Sequence, residues 1–480
     1  MEYLDLADLS HAMATCRALY DLGIPILLQD VQLVRSSCSY YQSRFALYRK
    51  HLLKNPTRFA WVRRLSCPAE ALDDRIRIFF KSLPRNFTSI RSLKLDMHGT
   101  EVDDYLASWI LSLENLRSLK ILYVRGYSPA QTRLVERMGL KLEELHIGMT
   151  SLPPTQSIFH PLQALAGSAI TLRSLSIQCV RSYGGPALTP KGGLCFRAVE
   201  ELAWVSAQNV LVSDLLSTFP AVRKLRIRNP RLEHTYTMVR KEYHEDALLE
   251  IRTHNRDVQD CVRMRWARLE TLDGDPFTLW VLGLRCRAVQ LKTALSCVQL
   301  GKPGYTLDVL HDTRPEHLVL ALSSRCNPAH LRRILTFPSL RRLTMTFKLT
   351  EVWDSVKKVH TLLTEALQQM CRSNIRHLTI TVELWLEVYL KSTLKGSQRG
   401  VEVKRPQPKR AFPARWLAKI PQILEAFPAL VELNIDIWKS HPFVWKLRED
   451  TLPLDADDDP GAHSGNHKHP ARPRASSPTL

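Results

Sequence analysis

The six residues Ile90-Arg91-Ser92-Leu93-Lys94-Leu95 decide the fold, because their pattern recurs along the chain. Each copy has an aliphatic residue, two mostly polar residues, a Leu, one further residue and usually another aliphatic residue. The next copies begin at Leu116 and Leu142, so each of these two intervals is 26 residues. A single match of this kind arises by chance, but matches that recur near a fixed spacing indicate a repeat protein. Further copies begin at Leu172, Val199, Val222, Leu340, Ile375 and Leu430.

Each copy ends in alternating apolar and polar residues, which is the pattern of a β-strand with one buried face. The preceding segment is usually helical in pattern, as in Leu106, Ile110 and Leu113 before the copy at Leu116. A unit this small cannot bury its apolar face alone, so neighbouring units must stack. We predict an α/β solenoid of about ten to thirteen units, with a parallel sheet on the concave face and helices outside. A plain α/β domain with unrelated strands is the alternative.

This pattern resembles the leucine-rich-repeat family over roughly residues 60–440. The family's longer motif places an Asn or Cys five residues after the central Leu, and this sequence has neither there. The resemblance therefore implies the family's strands and helices, but irregular turns without an asparagine ladder. The residues at those positions are His98, Val124, Thr150, Val180, Pro230, Lys348, Glu383 and Trp438.

The N-terminal segment has an apolar helical stripe and is predicted to form a helical hairpin. Its segments Asp8-Leu9-Ser10, Thr15–Tyr20 and Ile24–Leu28 resemble the later helices of an F-box in fungal F-box proteins. The Leu-Pro-x-Glu helix that opens that motif is absent from this sequence, so we predict a partial F-box. A helical cap on the repeat array is the alternative. The resemblance implies that a Skp-type adaptor of cullin-RING ubiquitin ligases binds Leu6, Leu9, Cys16, Leu19 and Tyr20.

Five regions follow from these patterns. Residues 1–35 are the partial F-box-like helical segment, and residues 36–390 form the solenoid. Residues 391–415 are a basic flexible insert, in which Glu402 is the only acid; a nuclear-import or nucleic-acid patch is an alternative role for it. Residues 416–447 form the last repeat. Residues 448–480 are an acidic and then Pro-, Ser- and His-rich tail that is predicted to be disordered.

The composition favours a non-enzymatic protein inside the cell, in the cytoplasm, the nucleus or both. The sequence has no Gly-rich phosphate loop, no His-Glu-x-x-His and no Gly-x-Ser-x-Gly, so we expect no catalytic residues, no cofactor and no metal. It begins without a secretory leader and has no apolar run long enough to cross a bilayer. The ten cysteines never have zinc-site spacing, and we interpret them as small buried hydrophobes.

The net charge of +20 attracts acidic or phosphate-bearing partners without naming one. The basic residues of the strand face described next favour an acidic or phosphorylated protein target, and side chains that are only solvated are the alternative. In a strand whose Leu and Ile face the core, the intervening residues face the opposite side and form one surface. The predicted function is substrate recognition in an SCF-type cullin-RING ubiquitin ligase, with a repeat scaffold lacking any ligase link or a nucleic-acid-binding solenoid as alternatives. The predicted target-binding residues are Lys94, Lys120, His146, Lys224, Arg226, Arg342 and His377.

Overall fold

A computed structural model gives the architecture of the chain. It describes residues 6–32, 56–68, 89–97, 99–124, 129–138, 141–149, 161–179, 193–205, 211–228, 245–261, 265–295, 304–323, 328–349, 364, 374–384, 429–437 and 441–446. The predicted insert at 391–415 and the predicted tail at 448–480 lie outside these residues.

One open sheet contains all the described strands, in the order of the sequence. The first fourteen strands are parallel, and the last pairs antiparallel with its neighbour. The strands are β1 (Asp30–Gln32), β2 (Arg64–Pro68), β3 (Ser92–Asp96), β4 (Ser118–Val124), β5 (Glu144–Met149), β6 (Ser174–Cys179), β7 (Glu201–Val205), β8 (Lys224–Arg228), β9 (Arg268–Gly274), β10 (Arg287–Leu295), β11 (His317–Ser323), β12 (Arg342–Leu349), β13 (His377–Leu384), β14 (Glu432–Ile437) and β15 (His441–Lys446).

Helices lie between many of the described strands, and several successive helices contact one another. Short 3-10 turns occupy Pro56–Trp61 and Ala166–Ser168. The α-helices are α1 (Leu6–Thr15), α2 (Arg17–Leu27), α3 (Asp104–Leu111), α4 (Pro129–Met138), α5 (Pro161–Ala164), α6 (Val212–Thr218), α7 (Glu245–Cys261), α8 (Pro276–Leu282), α9 (Gly304–Thr313) and α10 (Pro328–Leu335). The predicted α/β class and parallel sheet are confirmed, and the sequential strand order is consistent with a solenoid.

The core lies between the sheet and the helices because the strands alternate. In β3, Leu93 and Leu95 are buried while Lys94 between them is exposed. The helices add their own apolar faces to the same continuous core, for example through Ile110 of α3 and Leu134 of α4. Each buried Leu or Ile stabilises the fold by roughly 1.5–3 kcal/mol through removal of apolar surface from water.

Two helices show how the local sequence sets element boundaries. The Asp103 carboxylate accepts a hydrogen bond from the Leu106 N–H at 2.8 Å and begins α3. Asp275 begins α8 in the same way, and Pro276 occupies the first turn, where its missing N–H costs nothing. Gly283 ends α8 with a φ of 56°, a left-handed conformation that favours glycine.

The longest described helix, α7, buries polar side chains. Arg252, Asn255 and Gln259 share one helical face and are all nearly inaccessible. The Asn255 side chain accepts a hydrogen bond from the Val212 N–H at 3.0 Å, and that of Gln259 donates to the Gly283 carbonyl at 3.1 Å. These polar side chains therefore satisfy backbone groups of the neighbouring repeats.

Within the N-terminal hairpin, Cys16 is extended, with φ −156° and ψ 160°, and separates α1 from α2. Two details of the sequence prediction are corrected. The predicted helical segment 1–35 also contributes β1 to the sheet. The final predicted repeat contains the antiparallel strand β15 in addition to β14. The strands β2 and β10 were not anticipated, whereas β9 and β11 overlap weaker matches to the repeat pattern, Leu269-Glu270-Thr271-Leu272 and Glu316–Leu320.

Candidate protein-binding face

The face of the sheet opposite the core, which we name the open face, carries residues in register. Neighbouring parallel strands lie about 4.8 Å apart, so side chains at equal positions form rows across the strands. One row, named the central row, is Ser66, Lys94, Lys120, His146, Ser176, Ala203, Arg226, Asp273, Lys292, Val319, Thr344, Thr379 and Asn434. A second row, two residues earlier in β2–β8 and β10–β14, includes Glu201, Lys224, Arg342 and His377.

The predicted target-binding residues all lie in these two rows. Lys94, Lys120, Lys224, Arg226 and Arg342 are exposed, whereas His146 and His377 are half-buried. The structure therefore places them on one face of one sheet, although they are distributed over six strands. Lys292 in β10 is a further cation of the central row, missed because the β10 repeat was not recognised.

Acidic neighbours pair with several of these cations in the middle of the sheet. Lys224 Nζ lies 2.5 Å from Glu201 Oε1, and this hydrogen bond raises the pKa of Lys224. Arg226 Nε lies 3.4 Å from Asp273, which also binds Arg228 at 2.7 Å. The predicted net basic character is therefore weaker in this region than the sequence indicates.

At β3–β5, by contrast, the cations of the central row are neighbours, and the described residues provide no counterion for Lys94 or Lys120. Within the described residues, Lys94 and Lys120 have no acidic partner and face each other on neighbouring strands. His146 is next in the row, and burial, followed by the charges of Lys120, Arg226 and Lys94, lowers its pKa from 6.5 to about 4. His146 is therefore neutral at physiological pH.

A cleft of about 780 Å³ lies at the amino ends of β2–β5. Its lining includes the acidic residues Glu143 and Glu144, and no aromatic side chain is among the described residues that form it. Three of its cations, Arg63, Arg91 and Arg117, immediately precede a strand and do not alternate within it, so the strand pattern gives no signal for this cleft. The other two cations, Arg64 and Lys120, lie within β2 and β4.

The predicted adaptor-binding residues differ in their exposure to solvent. Leu9 is only 1% exposed and packs in the core, so it is withdrawn from the candidate adaptor surface. Cys16 is exposed, contrary to the interpretation of the cysteines as buried, and Leu19 is half-buried. Tyr20 is 38% exposed, and Leu22, which the sequence analysis missed, is 63% exposed. Leu6 begins α1, but its side chain is not among those described.

The N-terminal hairpin is continuous with the core of the sheet. Met13 of α1, Ile24 of α2 and Val31 of β1 are buried in the same apolar cluster as Leu65 of β2. Gly23 allows α1 to approach α2, because a Cβ there would meet Met13 at 2.4 Å. The hairpin therefore covers the first strands while α2 keeps exposed apolar side chains.

The described residues contain no group of three or more His, Cys, Asp or Glu side chains that could hold a metal ion. None of the described helices is long and apolar enough to cross a membrane. Burial raises the pKa of the Cys286 thiol to about 12, which leaves it protonated and unreactive.

Comparison of the chain with protein-family models and with curated proteins finds no match. The class of protein is therefore defined by architecture alone, as an α/β array with an open parallel sheet. The resemblance of the N-terminal hairpin to an F-box stays a prediction.

Proposed function

We propose that this protein is a leucine-rich-repeat-like protein-binding array and serves as the substrate-recognition subunit of an SCF-type cullin-RING ubiquitin ligase. The observation that carries the proposal is the open face, on which exposed polar and charged residues of successive strands stand in register. Such a surface suits extended contact with another protein. The partner is an acidic or phosphorylated protein, because unpaired cations dominate the face at β3 and β4.

The ligase assignment is supported by the N-terminal hairpin. It lies immediately before the first strand and exposes Tyr20 and Leu22 on α2 next to half-buried Leu19. An exposed apolar helical surface of this kind suits contact with another helical protein. In this arrangement the hairpin holds a Skp-type adaptor while the open face holds the target.

The ligase assignment is tested by co-purification of the full chain with a Skp-type adaptor. The double variant Leu19→Asp/Leu22→Asp should abolish co-purification, because two charges would be buried in an apolar contact. The matched control is Leu249→Asp on α7, which is 51% exposed and distant from the hairpin in sequence. Melting temperatures of both variants check that the fold is intact. Failure of the unmodified chain to bind any Skp-type adaptor contradicts the ligase link.

A repeat scaffold without a ligase link is the second candidate function. Its supporting observation is that Leu9, Met13 and Ile24 pack into the core, so the hairpin also works as a cap for the first strands. The cap role requires no adaptor. Capture of a target protein without an adaptor would favour this candidate.

A further inference from the structure

The cleft at β2–β5 contains an unusual succession of like charges. The backbone N–H of Arg91 donates to the carbonyl of Arg63 at 2.8 Å, and that of Arg117 donates to the carbonyl of Arg91 at 2.8 Å. Three arginines therefore occupy the same position before β2, β3 and β4, about 4.8 Å apart. We name these three residues the arginine ladder.

The same position further along the sheet carries alternating charges. The backbone ladder continues from Arg117 through five residues of alternating sign, and its last arginine binds the following glutamate at 2.6 Å. Like charges on neighbouring strands destabilise a sheet, whereas alternating charges do not. The arginine ladder is therefore a local departure that the fold does not need. The alternating residues are Glu143, Arg173, Glu200, Arg223 and Glu270.

The cleft cations differ in what already binds them. The Arg117 guanidinium donates to the Lys141 carbonyl at 3.2 Å, and Arg64 lies 3.6 Å from Asp30. Arg63 and Arg91 have no acidic partner within the described part of the chain. Among the described residues nothing acidic occupies the guanidinium donors of Arg63 and Arg91, so both can serve a ligand beside Arg117, whose guanidinium is already oriented.

We propose that the arginine ladder binds a phosphoryl group on a serine or threonine of the target protein. This inference rests on the proposed protein-binding role but not on the ligase link. A phosphoryl group carries nearly two negative charges and three acceptor oxygens, which suits several guanidinium forks arranged around one point. Side chains of arginine are long enough to reach one group from positions about 4.8 Å apart.

The limited extent of the cleft favours a phosphorylated protein over a nucleic acid. The ladder covers only three strands, and Asp30 lies beyond one side and Glu143 on the other. A nucleic-acid backbone would continue past these carboxylates and be repelled. Binding of single strands also relies on aromatic side chains that stack with bases, and the described lining has none.

The test uses the full chain and fluorescence anisotropy with two degenerate peptide libraries, one with a central phosphoserine and one with serine. The phosphoserine library should bind at least about tenfold more tightly, and Arg63→Gln or Arg91→Gln should each weaken it at least about tenfold. The matched control is Arg173→Gln, which removes an exposed arginine at the same position between two glutamates and should leave binding unchanged.

Four outcomes overturn the proposal. Equal binding of the two libraries excludes a phosphoryl site, and equal loss in Arg91→Gln and Arg173→Gln excludes the ladder. Tighter binding of a polyuridine oligonucleotide than of the phosphoserine library assigns the cleft to another anion. Competition by inorganic phosphate that equals competition by the phosphoserine library does the same. The libraries contain no adaptor, so a negative result here leaves the co-purification test of the ligase link unaffected. Melting temperatures within about 2 °C of the parent confirm folding of each variant.

Discussion

Lys94 lies directly opposite Lys120 on neighbouring strands of the open face, and neither has an acidic partner among the described residues. Further along the same sheet, Lys224 stands opposite Glu201 and binds it at 2.5 Å. Both pairs join neighbouring parallel strands, but Lys94 and Lys120 lie in the central row, whereas Glu201 and Lys224 lie in the second row. Because one pair is like-charged and the other opposite-charged, substitutions at the two pairs are expected to have opposite effects.

The first prediction concerns stability. Lys120→Glu should stabilise the protein by about 0.2–1 kcal/mol, because it replaces a like-charged pair with an opposite-charged pair. Lys224→Glu should destabilise it by a similar amount, because it does the reverse beside Glu201. Urea unfolding at low ionic strength measures both changes. Changes of the same sign in the free energy of unfolding of the two variants would contradict the pairing of Lys94 with Lys120 and of Lys224 with Glu201.

The second prediction concerns target capture. Neutralising Lys94 and Lys120 to Gln should weaken capture of an acidic target and reduce its dependence on salt, because no acid among the described residues pairs with these cations. Neutralising Lys224 and Arg226 to Gln should have a smaller effect, because acids already bind both. Pull-down over a salt series compares the two double variants. A larger loss of capture in the variant with Lys224→Gln and Arg226→Gln would place the target contact in the middle of the sheet.

The third prediction concerns pH. Because the pKa of His146 is about 4 in the folded protein and near 6.5 when unfolded, only the unfolded chain gains this proton at intermediate pH. The contribution of neutral His146 to the free energy of unfolding is therefore complete above pH 6.5 and falls as the pH decreases from 6.5 to 4. Allowing for solvent screening, the loss is about 1–2 kcal/mol.

The variant His146→Asn isolates this contribution from the other titrating groups. It should lose less stability than the parent between pH 7 and pH 4.5, as measured by urea midpoints. His317→Asn is the comparison, because burial and the charges of Arg342 and Lys292 also lower the pKa of His317. Identical pH dependence of His146→Asn and the parent would show that His146 does not titrate as proposed.

The fourth prediction concerns the buried ion pair of α7 and α9. Arg252 Nη2 lies 2.7 Å from Asp312, both side chains are only 5% exposed, and the guanidinium stacks 4.9 Å above Trp280. Asp312→Asn should destabilise the protein by about 3–5 kcal/mol, because it leaves the buried Arg252 with only the more distant and more exposed Asp308, at 3.9 Å, as a counterion. Chemical denaturation measures this change.

The exposed pair of Arg285 and Asp260 is the control for that prediction. Asp260→Asn should change stability by less than about 1 kcal/mol, because solvent screens the remaining charge. A comparable loss in the two variants would mean that burial does not determine the strength of the Arg252–Asp312 pair.

The repeat pattern predicted most of the sheet, and the loss of one of the strands that it missed, β10, has a local cause. Leu93, Leu119, Leu145 and Leu175 occupy equal positions in successive strands and are all buried, as the pattern required. The strand β10 was missed because Ala288 stands where the other copies have a larger aliphatic residue. A small side chain weakens the sequence signal without changing the backbone pairing.

The sequence by itself determined which residues share a strand face, because alternation is a property of neighbouring residues in the chain. Only the tertiary structure decided what each polar side chain meets. Asn255 bonds the backbone of residues 43 and 26 positions away, and Arg226 is paired by Asp273 of the next strand, whereas Lys94 meets Lys120. These partners come from distant segments brought together by stacking, and no local period of the sequence specifies them.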